Sequence, residues 1–267
     1  TDIPFVSLSQ LSDVSELDDT VVFVNDIAAV ATKNRSFRIL HNPPPLRDRH
    51  RALALESVRD RILIATSRYA ARLWSTYLEV EPTSLHVVYP FAEPAFAAQP
   101  RHERSSGPTR ILYAGRLSPE KGIYTFLSML HVDVIAEDEN LRFTATTAGS
   151  DKPQGRLIEQ LLAVHPGITL TDARKTPESM SALMAEHDIV LMPSNGQYWH
   201  ETFGIVSIEA QHTGCRVVAS HDGGLPETVS GGLILVEPDN AEALAWGIQE
   251  AIAAGPMPAN ERRSAAT

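Results

Sequence analysis

Short runs of β-branched and aliphatic residues recur along the chain, separated by stretches of helical period. Ten such runs predict strands: VVFV (21–24), FRIL (37–40), ILIA (62–65), HVVY (86–89), RILYA (110–114), RFTATTA (142–148), ITL (168–170), IVLM (189–192), RVVA (216–219) and LILV (233–236). Between them, GIYTFLSMLH, QGRLIEQLLAV, PESMSALMAEH and NAEALAWGIQEAIAA carry helical patterns. The strands are apolar almost throughout rather than alternating. That pattern fits parallel strands covered on both faces, so the expected class is α/β with parallel sheets. No internal repeat and no low-complexity tract interrupts it.

The stretch EPAFAAQPRHERSSGPT (93–109) mixes Pro, Ser, Gly and charge without an apolar period, the composition of a linker. It divides the chain into residues 1–98, with four predicted strands, and residues 99–267, with six. The second part is long enough for a complete doubly wound domain. The first is short for one and is expected to be an incomplete N-terminal domain.

Composition narrows the class. Of 267 residues, 43% are hydrophobic and 21% charged, which describes a globular protein with a substantial core. Cys215 is the single cysteine, so no internal disulfide can form. No signal peptide is visible, and no apolar run approaches the roughly 18 residues that span a bilayer. The expected location is cytoplasmic.

The net charge of −10 is unevenly spread. Residues 1–32 hold six acids and neither Lys nor Arg, whereas residues 33–72 hold ten basic residues against three acids. Such a segment can dock an anionic surface, which fits peripheral contact at the inner face of a membrane, or it can be a solvated arginine-rich helix. Nothing in this distribution calls for nucleic acid.

Three strand-end loops and one histidine carry candidate chemistry. In YAGRLSPEKGIYTFL (113–127) a strand, a turn and a helix follow one another, and ligands of open α/β sheets sit at such carboxyl ends. Arg116 and Lys121 flank that turn, and a guanidinium fork with an ammonium suits a pyrophosphate. In WHETFGIVSIEA (199–210) a helix is expected from about Thr202. The amides of Phe203, Gly204 and Ile205 would then form an anion site at its N-terminus. Glu201 stands just before that terminus and Glu209 two turns on, on the same face. A carboxylate at Glu209 can accept hydrogen bonds from the vicinal hydroxyls of a ribose. In SHDGGLPETV (220–229), Gly223 and Gly224 would let backbone approach a ligand closely, or form a plain turn. His41 follows directly after the strand FRIL.

GRLSPEKG, the Glu-x7-Glu of ETFGIVSIE and GGLPETV stand together in an order and spacing that resemble the retaining glycosyltransferases of family 4. Those enzymes have two Rossmann-like domains, the GT-B architecture. ATSRYAARLW (65–74) and VVYPFAEPAF (87–96) are similar to the end of that family's N-terminal domain. The resemblance implies transfer of a hexose from a nucleotide-diphosphate sugar to a glycan or lipid-linked acceptor, with no metal and no other cofactor. It implies that Glu201 contacts the transferred sugar and that Glu209 holds the ribose. It assigns the diphosphate to Arg116, Lys121 and the amides of Phe203, Gly204 and Ile205. His41 would lie near the anomeric centre, and Ala173 and Arg174 near the nucleobase, although Asp172 stands where the family usually has Gly. Nothing before residue 21 matches the family's opening strand and glycine-rich loop. Two alternatives remain at this level: a catalytically inactive nucleotide-sugar-binding module, and a GT-B nucleotide-sugar epimerase.

Overall fold

The computed structural model describes residues 11–24, 30–45, 50–99, 107–197, 199–229 and 231–258. The chain forms two compact units that divide between Tyr89 and Pro90.

The first unit carries strands β1 (Val21–Val24), β2 (Ser36–Leu40), β3 (Arg61–Ala65) and β4 (His86–Val87), with helices α1 (Arg51–Val58) and α2 (Arg68–Leu78). All four strands are parallel, in the order β1-β2-β3-β4. Leu40, Ala65, Ala70, Ala71, Trp74 and Leu85 form its core. Ser67 starts α2 by accepting from the Ala70 amide at 2.9 Å, a side-chain cap for one of the helix's unpaired donors. Trp74 Nε1 donates to the Asn42 carbonyl at 2.8 Å and so ties the loop that contains His41 to α2.

The basic segment is only partly surface. Arg38 is buried on β2, and Arg61 lies 3.7 Å over the Phe23 ring while donating to the carbonyls of Ser57 and Val30. Burial, with Arg38 nearby, lowers the Arg61 pKa. Lys33, Arg35, Arg51, Arg59, Arg68 and Arg72 are exposed, whereas Arg47 and Arg49 lie outside the described residues.

The second unit begins earlier than residue 99. Helix α3 (Pro94–Ala98) lies within the stretch expected to be a linker, yet it packs on the helices of the second unit. Phe96 is the reason: it is 2% exposed and sits in a core cluster with Leu112, Val190 and Ile208. One large apolar side chain outweighs the polar composition around it.

Six strands follow: β5 (Thr109–Tyr113), β6 (Leu141–Thr146), β7 (Ile168–Thr171), β8 (Ile189–Met192), β9 (Arg216–Ser220) and β10 (Leu233–Val236). They alternate with α4 (Ile123–Met129), α5 (Asp133–Ala136), α6 (Pro153–Ala163), α7 (Pro177–Ala185), α8 (Ile205–Thr213) and α9 (Ala241–Ala253). The sheet is wholly parallel with order β10-β9-β8-β5-β6-β7. Counted within the unit this is the order 6-5-4-1-2-3 of a doubly wound dinucleotide-type fold. Both faces are covered, as the continuous apolar strands require. Ile111 and Tyr113 of β5 pack with Phe126, Ile158 and Ile248 on one face. Leu112 packs with Phe96, Ile208 and Met184 on the other. The order in which successive strands are added reverses between β5 and β8, so the loops leaving these two parallel strands flank the switch point where ligands of such sheets bind.

Candidate functional site

Two turns meet at that switch point because glycine allows them to. After β5 the chain makes a 3-10 turn, Pro119–Lys121, and enters α4 through Gly122 at φ +69°. A Cβ on Gly122 would stand 1.6 Å from the Pro193 carbonyl oxygen, so any side chain there is excluded by the backbone leaving β8. The Asn195 amide donates to the Glu120 carbonyl at 3.1 Å and closes the same contact. Beneath the turn, the buried Tyr113 hydroxyl lies 2.9 and 3.0 Å from the carbonyls of Arg116 and Lys121. Burial holds that phenol well above its ordinary pKa, so it keeps the proton that it shares between them. The ends of the turn that carry the two candidate cations are thereby fixed from below.

The loop from β8 to α8 carries Glu201, whose carboxylate forms an ion pair with the Lys121 ammonium. The same oxygen, Oε1, accepts from Ser194 Oγ at 3.0 Å. The Glu201 side chain is only 12% exposed and the Lys121 side chain 24%, so the pair is mostly withdrawn from water. Arg116 pairs with Glu120 at 3.2 Å in a more open setting. The two cations that flank the turn therefore each hold a carboxylate.

Gly223 and Gly224 clasp protein rather than open space. A Cβ on Gly223 would stand 2.2 Å from the Glu201 carbonyl oxygen, and one on Gly224 would stand 2.2 Å from that of Thr202. The Gly224 amide donates to the Glu201 carbonyl at 2.7 Å. The glycine pair, expected either to approach a ligand or to form a plain turn, is thus what seats Glu201. His200 Nδ1 and Asp222 Oδ1, 2.7 Å apart, join the same two loops a second time.

Helix α8 starts at Ile205, three residues later than expected, with Gly204 at φ +95° as its cap. Phe203 is the cause: its ring is 3% exposed in the core, which holds the chain in a turn before the helix begins. The first turn presents the amides of Ile205 and Val206, while Ser207 N returns to the Gly204 carbonyl at 3.0 Å. Because Glu201 lies outside the helix, its expected shared helical face with Glu209 does not exist. The two carboxylates are related by the loop, not by helical period.

Glu209 sits in the second turn of α8, where its carboxylate has no hydrogen bond or ion pair among the described residues. Burial pushes its pKa up to about 7, and Glu93, just before α3, adds like-charge repulsion. Arg174 follows β7 and donates to Thr171 Oγ1 at 3.1 Å; Ala173 is half-buried beside it. His41 belongs to the first unit, half-buried at the end of β2. Sequence reasoning missed Ser194, Tyr113 and Glu93. Only Ser194 had a local signal, as the residue two places after strand β8.

The second unit is thus a doubly wound α/β domain with an ion pair at its switch point, the place where ligands of such sheets bind. The comparisons with known proteins refine this. The chain matches the family "Glycosyl transferases group 1" over residues 108–254 and belongs to it. It is 30% identical over 207 residues to a D-inositol 3-phosphate glycosyltransferase of Corynebacterium efficiens, covering 70% of this chain and 46% of that protein. It is 34% identical over 151 residues to a glycogen synthase of Mycobacterium tuberculosis, covering 54% and 31%. The chain thus spans under half the length of these curated relatives. Among solved structures, a glycosyltransferase from Rickettsia africae superimposes with TM-score 0.68 at 19% identity, covering 83% of this chain and 61% of that one. WaaG, a glycosyltransferase involved in lipopolysaccharide biosynthesis, does so with TM-score 0.66 at 17% identity, covering 89% and 70%. These likenesses establish a fold of the GT-B type.

Proposed function

We propose that the chain carries the donor site of a retaining glycosyltransferase that moves a hexose from a nucleotide-diphosphate sugar to a glycan or lipid-linked acceptor. The observation that carries this is the convergence of Lys121, Arg116, Glu201 and the α8 N-terminus on one switch point. The names of the relatives support the class of reaction: inositol phosphate glycosyltransferase and glycogen synthase. Structural neighbours from Anabaena were crystallised with UDP and with UDP-glucose, which supports a nucleotide-sugar donor.

In this proposal Lys121, Arg116 and the amides at Gly204 and Ile205, with that of Phe203 just before them, face the diphosphate. Negative charge grows on the leaving phosphate as the bond to the sugar breaks, and two cations with a helix terminus can stabilise it without a metal. Glu201 orients the sugar, Glu209 holds the ribose, and Ala173 and Arg174 border the base.

The test is thermal unfolding with uridine, adenosine and guanosine diphosphates in the presence of EDTA. At 100 times the dissociation constant the bound nucleotide is expected to add about 2.7 kcal/mol of stability. No shift with any of the three overturns the donor site. Sugar release in a single turnover then separates a transferase from an inactive binding module.

The exposed arginines of α1 and α2 support peripheral contact with an anionic membrane surface. Among the described residues no helix is long and apolar enough to cross a membrane. Co-sedimentation with anionic vesicles is expected to fall away in 1 M salt, where the Debye length is about 3 Å. Equal binding to neutral vesicles removes this part of the proposal.

A further inference from the structure

Lys121 and Glu201 satisfy one another as an ion pair, and under the donor-site proposal each is needed by a different part of the donor. A diphosphate competes for Lys121. Once the ammonium turns to phosphate, Glu201 keeps, among the described residues, only the Ser194 hydroxyl, in a setting where its side chain is 12% exposed. A carboxylate left there without its counter-charge is unfavourable, because burial removes the water that would replace the lost partner. Sugar hydroxyls can donate to Glu201 and restore what Lys121 withdraws. A free nucleoside diphosphate brings phosphate but no such donor. The Arg116–Glu120 pair carries a smaller penalty: Glu120 is 24% exposed against 12% for Glu201, so water reaches it more readily when phosphate takes the guanidinium.

We propose that the Lys121–Glu201 ion pair makes this site favour the sugar-bearing nucleotide over the spent nucleoside diphosphate, so that loss of the sugar weakens retention of the product. The proposal rests on the donor-site assignment above. It adds a specificity device to that site: the penalty for opening the pair is offset only by a ligand that addresses both partners.

Calorimetry on the full chain tests it with three matched pairs: UDP and UDP-glucose, ADP and ADP-glucose, GDP and GDP-mannose. For the pair that binds, the parent protein is expected to hold the sugar nucleotide about tenfold or more tighter than the diphosphate, or about 1.4 kcal/mol. Glu201→Gln, near in shape but uncharged, no longer leaves a buried charge behind. It is expected to bind the free diphosphate roughly tenfold tighter than the parent does, narrowing the gap. A diphosphate affinity that is unchanged or weaker in Glu201→Gln overturns the proposal while leaving the donor site standing. Should the variant fail to fold, the parent comparison decides alone: equal affinity for the two members of the pair refutes the device. If none of the six ligands binds, it is the donor-site assignment itself that fails.

Discussion

Gly122→Ala is expected to lower stability by about 3 kcal/mol or more and to abolish binding of nucleoside diphosphates. Two penalties combine at this residue. The first is the backbone at φ +69°, where a β-carbon costs about 1 kcal/mol. The second is a Cβ position 1.6 Å from the Pro193 carbonyl oxygen, a distance that no rotamer can relieve because the backbone fixes the Cβ and the oxygen belongs to the main chain. Relief requires the β5 turn and the β8 loop to part, and that separates Lys121 from Glu201 and Ser194. Gly255→Ala is the control, since it shares a positive φ of +66° with nothing within 4 Å of its Cβ. It is expected to lose about 1 kcal/mol. Urea titrations of both variants measure the difference, and equal losses would show that the close approach at the switch point contributes nothing.

Gly122 also marks what could be read in advance. Its place in GRLSPEKG was visible in the sequence, as were Arg116, Lys121, Glu201 and Glu209, because ionisable residues at strand ends announce themselves. All ten strands lie where apolar runs predicted them; for the central strands of the second sheet the reason is that a strand buried on both faces has little choice of composition, whereas β1 and β4 are largely exposed. Two runs differ in extent: of HVVY only His86–Val87 pairs as a strand, at the edge of its sheet beside β3, and RFTATTA ends its strand at Thr146.

The partners of these residues were harder to read, because a local pattern records what a residue is and not what the fold brings to it. Phe96 lay in a stretch whose average composition is that of a linker, yet its burial decides where the second unit begins. Phe203 read as part of a helix; its insertion into the core moves the helix start to Ile205. Gly223 and Gly224 were recognisable as places of close approach, but the surface approached is the backbone of Glu201 and Thr202. The Lys121–Glu201 pair joins residues 80 positions apart, and only the order of strands makes them neighbours. That long-range pairing gives Lys121 a carboxylate partner at the switch point, which its local sequence does not record.

Glu209→Gln is expected to stabilise the protein at alkaline pH while weakening its hold on nucleotide. The parent carboxyl has an ordinary value of 4.5 and is pushed up to about 7, chiefly by burial and then by Glu93. The folded protein therefore keeps a proton there at pH values where the unfolded chain has released it. Stability from this group is fully present below about 4.5 and is lost as pH rises through about 7, above which burial of the charge opposes folding in full. The interval corresponds to at most about 3 kcal/mol. Glutamine removes the titration, so the variant should match the parent at pH 4, exceed it at pH 8 and show a flatter profile between. Its nucleotide affinity should fall by about tenfold or more, because hydrogen bonds from ribose hydroxyls to a charged acceptor, each roughly 1.5–3 kcal/mol, give way to weaker ones. In the parent, affinity should accordingly rise with pH up to about 7 as the carboxylate forms. Thermal unfolding across this pH range and calorimetry at its two ends make the check. A variant less stable than the parent at pH 8 would mean that Glu209 is a satisfied structural carboxylate. A variant with undiminished nucleotide affinity would take the ribose away from it. The expected combination, a more stable protein that binds less well, is the behaviour of a carboxylate kept in an unfavourable place for the ligand it serves.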